Sequence, residues 1–277
     1  MRVSLAAAAV LFAMAWGTQP AVAQKSIAPT LEMSADGEVQ IAPDGSVSDY
    51  RLQSKLSPAI ADLVDKDVRR WQFQPILVDG KAVVAKTAMH LELKAEPADG
   101  KDNYRIRVTE VRFGELRRAA RMRPPHYPKE AVIAHLGAKV LLAVRLDETG
   151  KVLDVQPYQT SLDARASSEN EAERWRKMFE QASMTAARTW QWNMSETING
   201  KTVGASVIVP IAFTVRDVGK PEPTGWRALI PGPVHPAPWM NSTTLADSSD
   251  LSSLKDDETV SLDSKFRLKD SVVGKTL

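Results

Sequence analysis

Four histidines, His90, His126, His135 and His235, are the chain's only side chains with an ordinary pKa near neutrality. None has His-x-x-x-His or similar ligand spacing, and there is no Gly-x-Ser-x-Gly elbow or Gly-rich phosphate loop. Cysteine is absent, which excludes thiolate metal sites, nucleophilic thiols, disulfides and a lipidated cysteine. His90 falls on the polar face of an alternating segment, His126 beside a Tyr-Pro turn, His135 in a short helix and His235 in the tail, so each reads as a surface or packing residue. No catalytic residue, metal ligand or cofactor is expected, and the chain is not expected to be an enzyme. Trp71, Trp175 and Trp190 lie on apolar helix faces and read as core. Trp192, Trp226 and Trp239 are less constrained, and rings that stack on sugars make a peptidoglycan-binding module one alternative.

Charge narrows the partners. Lys and Arg number 36 against 34 Asp and Glu, a balance that argues against a dedicated nucleic-acid binder. Seven arginines nevertheless crowd between Arg105 and Arg123, against only Glu110 and Glu115. They read as the solvated face of a strand and linker helix, with contact to an anionic surface or partner as the alternative.

The elements that position these residues come from an internal repeat. Asp44-Gly45-Ser46-Val47, an amphipathic stretch, Arg69-Arg70-Trp71-Gln72-Phe73-Gln74-Pro75, Asp79-Gly80-Lys81 and an alternating segment from Ala82 to Leu93 follow one another. The same order returns as Thr149-Gly150-Lys151-Val152, an amphipathic stretch, Arg188-Thr189-Trp190-Gln191-Trp192, Asn199-Gly200-Lys201 and an alternating segment from Thr202 to Val215. Each block reads as strand, turn, strand, helix, loop, turn, strand. The first helix starts at Ser57-Pro58 and stripes Ile60, Leu63, Val64, Val68 and Trp71 on one side. The second starts at Ser168 with Glu171 at capping-box spacing and stripes Trp175, Met178, Phe179, Ala182, Ala186 and Trp190. Val140, Leu142, Val144 and Leu146 share one face of a strand. The predicted class is α+β: two small domains, each an antiparallel sheet with a helix packed on one face.

A Tyr-Pro segment, Pro124-Pro125-His126-Tyr127-Pro128-Lys129-Glu130-Ala131, precedes the second block and leads into a short helix that Gly137 closes. Together with the Asp-x-x-Gly-Lys-Val turn, the helix running into Arg-x-Trp, Asn-Gly-Lys-x-Val and Val-x-Val-Pro-Ile-x-Phe, this order resembles the C-terminal domain of TonB, the periplasmic part of the bacterial energy transducer. The resemblance covers residues 107–216, and a truncated copy without the Tyr-Pro segment covers residues 32–94. It implies binding of an extended receptor segment as an added strand at a sheet edge, with no cofactor. On that basis the partner-binding edge is placed on the last strand of the second block, at Val207, Ile208, Val209, Pro210, Ile211, Ala212 and Phe213. Pro210 lacks an N–H and so favours an edge.

The expected organisation is a signal peptide over residues 1–24, cleaved after Ala23, domains over 25–97 and 104–217, and a tail over 218–277 that is Pro-rich and then Ser/Asp-rich and disordered. The leader's apolar run, Leu5 to Trp16, is shorter than the roughly 20 residues of a membrane span. The expected protein is periplasmic and binds an envelope or outer-membrane receptor protein. A membrane-anchored transducer is the reading if the leader stays in place.

Overall fold

Both copies of the repeat make their turns with the same backbone. In the computed structural model, which describes residues 30–98, 103–118, 122–215, 228–240, 251, 254, 256 and 259–277, Gly45 and Gly150 have φ of 86° and 82°. A Cβ on either would stand 2.1 Å from the Phe73 carbonyl oxygen or 2.0 Å from that of Trp192. Only glycine fits, because the chain after each helix returns across the turn: Phe73 N–H donates to Gly45 O and Trp192 N–H to Gly150 O. Asp79-Gly80 and Asn199-Gly200 both have positive φ at their two residues, the requirement of a two-residue type I′ hairpin. The leader, Trp226 and the proposed cleavage site lie outside the described residues.

The first copy comprises β1 (Leu31–Ile41), β2 (Val47–Leu52), α1 (Pro58–Val68), the hairpin β3 (Leu77–Val78) and β4 (Lys81–Ala82), and β5 (Ala85–Pro97). After β6 (Tyr104–Phe113), β7 (Arg117–Arg118) and α2 (Lys129–Ile133), the second comprises β8 (Ala138–Leu146), β9 (Val152–Leu162), α3 (Glu169–Ala187), β10 (Trp192–Asn193), the hairpin β11 (Thr197–Ile198) and β12 (Lys201–Thr202), and β13 (Ala205–Phe213). A last strand, β14 (Val260–Ser261), follows. All described pairings are antiparallel, in orders β5-β1-β2 and β13-β8-β9 for the two copies. The protein is therefore sheet-rich with few helices.

Boundaries between the copies are less clean than predicted. Strand β6, assigned from sequence to the second domain, pairs with β5 in the first sheet. Hairpin β11-β12 also crosses to β5, where Thr197 meets Lys86 and Ile198 meets Ala85. Ile198 is consequently buried in the core of the first copy.

Helix α1 keeps Val64 and Val68 buried and Trp71 beyond its end, as its spacing predicts, whereas Leu63 is exposed because it falls outside the i, i+4, i+8 row. Trp71 and Trp190 are both buried, and their indole N–H groups donate to Asp67 and to the Arg123 carbonyl. Helix α3 is rotated from its predicted stripe, burying Ala172, Arg176, Phe179, Ser183 and Ala187. Ser168 caps it by accepting from Glu171 N–H, while the Glu171 carboxylate reaches Ser167 N–H. At the end of α2 the left-handed residue is His135, with φ 52°, not Gly137. Gly137 is required for close approach instead: a Cβ there would lie 2.3 Å from Asp163 and 2.6 Å from the Phe213 carbonyl.

The tail departs most from expectation. Its described residues pack: Ala237, Leu251, Leu254 and Leu262 join Leu141, Ala143, Tyr158 and Ile208 in a core on the face of the second sheet opposite α3. Phe266 and Val272 enter the first core. Residues 230–235 run along the outer edge of β9, with hydrogen bonds to Leu162, Thr160 and Tyr158. Leu277 N–H donates to Ile106 O and Gly274 N–H to Val108 O along β6. A few leucines and aromatics spaced through polar sequence thus suffice to close a second face, which the Ser/Asp-rich average conceals.

Candidate functional site

Three places bring functional groups together. The first is β13, the predicted binding edge. Its register with β8 is continuous from Ala205 opposite Leu146 to Phe213 opposite Ala138. Ser206 O accepts from Leu262 N–H and Ser206 N–H donates to Asp263, so the even-numbered residues turn their main chain outward from β8. Strand β14 takes Val207 and Ile208 on that side. Pro210 therefore presents its missing donor to the outer edge, in agreement with the edge argument. The side chains differ from expectation. Val207, Ile208, Val209, Pro210, Ile211 and Phe213 are buried, with Ile208 in the tail-side core, and only Ala212 is half-buried. Among the described residues, what β13 offers is main chain from Pro210 onward, beside a groove of about 520 Å³ walled by Met122, Pro125, Trp190 and Asp256. The segment lying on this edge is residues 260–263, whereas residues 230–235 of the proline-rich segment lie on β9.

The second place is the Tyr-Pro segment. Tyr127 donates to the Leu136 carbonyl at 2.8 Å and stands edge-on to Phe179 and Phe213, at 5.9 and 5.4 Å between centroids. This fixes the segment between two grooves. One is the β13 groove; the other, of about 1150 Å³, runs between Pro124, His126, Tyr127 and Pro128 and the outer face of α3. Met178, Ala182 and Ala186, predicted as buried stripe, line this larger groove and are half-buried.

The third place escaped the sequence reading. On the polar face of the first sheet, His90 lies opposite Asp36 on β1 and Arg112 on β6. Its Nδ1 is 2.7 Å from Asp36 and 3.8 Å from Glu115, and its Nε2 is 3.2 Å from Glu92. Both ring nitrogens face carboxylates, which suits an imidazolium with two donors. Burial works to lower the His90 pKa, but the hydrogen bonds to Asp36 and Glu92 and the charge of Glu115 raise it overall. Burial raises the Glu115 carboxyl, against the pull of His90 and Arg112. Asp36, His90 and Glu115 also have ligand atoms close enough to share a metal ion, though Arg112 already holds Glu115 at 2.8 Å. Sequence distance hid the cluster: strand register joins positions 36, 90 and 112.

A further buried carboxylate, Glu196, accepts from Thr87 of β5 at 3.1 Å and from Ser264 of the tail at 2.6 Å. It links the first sheet, the second copy and the C-terminal segment. Burial pushes its pKa up, and the Ser264 and Thr87 hydrogen bonds hold part of the rise back.

Other tryptophans are placed differently from expectation. Trp192 is fully buried, while Trp175 is half-buried beneath Arg174 and Trp239 faces Arg145 at 5.7 Å. His126 and His235 are exposed, and His235 uses its main-chain N–H to pair with Tyr158. Among the described residues no helix is long and apolar enough to cross a membrane. Compared with known proteins, the chain matches no family model, no curated protein and no solved structure.

Proposed function

We propose that this chain is a periplasmic protein-interaction module of TonB C-terminal type that takes an extended segment of an envelope or outer-membrane receptor protein at the outer edge of β13. One observation carries the reading: the chain adds its own extended segments to its sheet edges. Residues 260–262 lie on β13, 230–235 on β9 and 274–277 on β6. Main-chain pairing of this kind depends little on side-chain identity and supplies much of the affinity in strand addition. Beyond Ile208 the edge of β13 continues past Pro210 to Ala212 and Thr214 beside the 520 Å³ groove. The site is not catalytic on this reading, and coupling to an energised membrane is not part of it. Trp192 has no exposed ring face to offer the sugar-stacking alternative, which then rests on the half-buried Trp239 and on Trp226.

The test is a titration of extended receptor-derived peptides against protein labelled at Thr214, with Ser206 as the already paired reference. Shifts at residues 209–214 are expected. Shifts confined to the helix, with β13 silent, would sink strand addition. Mass spectrometry of the protein from the envelope tests the localisation: a mass beginning at Gln24 is expected, and an intact leader would favour the anchored transducer.

A further inference from the structure

The apolar surface of α3 extends past the part that its own sheet covers. Phe179 and Ala187 enter the core, Ala182 and Ala186 pack against that core from its margin, and with Met178 they also line the 1150 Å³ groove. The opposite wall, Tyr127 with its flanking prolines, is held in place by the Tyr127 hydrogen bond and ring contacts described above. The groove follows α3 from Asn170 to Ala186, roughly 24 Å at 1.5 Å per residue, and runs on to Thr189.

Its rim is cationic. Arg123, Arg174 and Lys177 border it with Glu173 as the one carboxylate, three positive charges against one negative. Arg123 is exposed and makes no ion pair among the described residues. Arg174 is 69% exposed, and its contact with Glu171 is 4.0 Å long. Lys177 is 70% exposed at 3.5 Å from Glu173, so solvent screens that pair. Backbone chemistry narrows the occupant further. The main chain of α3 is closed on itself, so the helix wall has no unpaired ladder for an extended strand, and a guest must satisfy its own N–H and C=O groups. A helix does so.

We infer that this groove docks an amphipathic helix of a partner protein, with its apolar face on Met178, Ala182 and Ala186 and with Asp or Glu flanking that face toward Arg123, Arg174 and Lys177. The site is separate from the β13 edge and does not rest on the strand-addition reading.

The experiment selects 16-residue peptides from a displayed random library on the full chain at low salt, then synthesises the winners and versions with every Asp and Glu replaced by Lys. Selected sequences are expected to carry apolar residues at i, i+3 or i+4, and i+7 with net negative charge, and to gain helical circular dichroism on binding. Charge reversal of the peptide, or Arg174→Glu with Lys177→Glu in the protein, should weaken binding about tenfold, and added salt should weaken it further. Lys81→Glu with Lys201→Glu, on exposed hairpins away from the groove, should leave it unchanged. The inference is overturned if nothing is selected above background, if the winners are basic or bind without helix gain, if protection from hydrogen exchange falls on β13 instead of α3, or if phosphatidylglycerol vesicles compete for the site as well as the peptides do. Protection on β13 alone would leave the strand-addition reading standing while removing this one.

Discussion

Strands β5 and β13 hold the same place in two copies of one motif, yet they live in different surroundings. Counting from Gly80 and Gly200, Ala85 corresponds to Ala205, Thr87 to Val207, Ala88 to Ile208 and His90 to Pro210. The inward faces agree: both bury alternate residues beneath a helix. Outward, β5 carries Lys86, His90, Glu92 and Lys94 in a charge ladder with β1 and β6, including a Lys86–Glu38 pair at 2.5 Å. Outward, β13 carries Ile208, Pro210 and Ala212, and the tail covers Ile208. The motif dictates turns, register and one buried face; the composition of the second face decides whether the sheet meets water or another layer.

Equivalence of the copies is tested most severely at their tryptophans. Trp71→Ala and Trp190→Ala should each cost roughly 3–5 kcal/mol, the usual loss for a large core aromatic, read by chemical denaturation. A small cost at one and a large cost at the other would show that the two positions are not structurally equivalent. Variants that keep the wild-type melting temperature but lose a bound peptide would instead make these rings binding surface.

The contrast between the outward faces predicts a second effect of similar size. Ile208→Ser should cost at least the roughly 2–5 kcal/mol of a buried Ile→Ala change, because it also leaves a hydroxyl in the tail-side core. Ala88→Ser, at the corresponding and half-buried place on β5, should stay within about 0.5 kcal/mol. Comparable losses at both would mean that the tail layer does not discriminate the two sheets.

The turns, the helix starts, the paired tryptophans and the α1 stripe were legible because each depends on residues close in sequence. The second layer on β13 was legible too, by a signal other than alternation. Val140-Leu141-Leu142-Ala143-Val144 and Val207 to Phe213 are unbroken apolar runs, the pattern of strands buried on both faces. Reading only alternate residues of these strands hid Leu141, Ala143 and Ile208. The tail's Leu251, Leu254, Leu262 and Phe266 gave no comparable warning, since isolated apolar residues in polar sequence have no period. The His90 cluster and the crossing of β11-β12 to β5 depend on register between distant segments, which no local pattern carries.

Glu196 sharpens the comparison at one more corresponding pair. Its counterpart is Ile76: Val83 N–H donates to Ile76 O as Val203 N–H does to Glu196 O, and both side chains are buried. A carboxyl whose pKa is raised by folding favours the folded state while protonated. Its contribution is lost as pH rises from the ordinary glutamate value through the folded value, and above that the buried charge opposes folding. Glu196→Gln keeps acceptors for Ser264 and Thr87 without the charge. It should raise the melting temperature at pH 8 and leave it nearly unchanged at pH 4, whereas a loss at pH 8 that is absent at pH 4 would make the ionised carboxylate itself the stabilising group.

The smallest effect belongs to His90, at the place where β13 has Pro210. Asp36 from β1, Glu92 from β5, Glu115 after β6 and the opposing Arg112 all face the ring. Because its folded pKa is raised, the stability it contributes is fully present below about 6.5, the unfolded value, and disappears as pH climbs through the folded value. Glu115 slopes the same way but lower, across the carboxylate range, so the two contributions separate on the pH axis. The ring is 14% exposed but its partners are 26 to 47% exposed, and solvent screening keeps the expected gain below about 1 kcal/mol. Urea midpoints for the wild type should therefore fall modestly between pH 6 and 8. His90→Gln should flatten that stretch and leave the slope near pH 4 to 5 intact. A variant that keeps the wild-type slope above pH 6 would remove His90 as its source and leave the charged face of β5 as an ordinary solvated sheet.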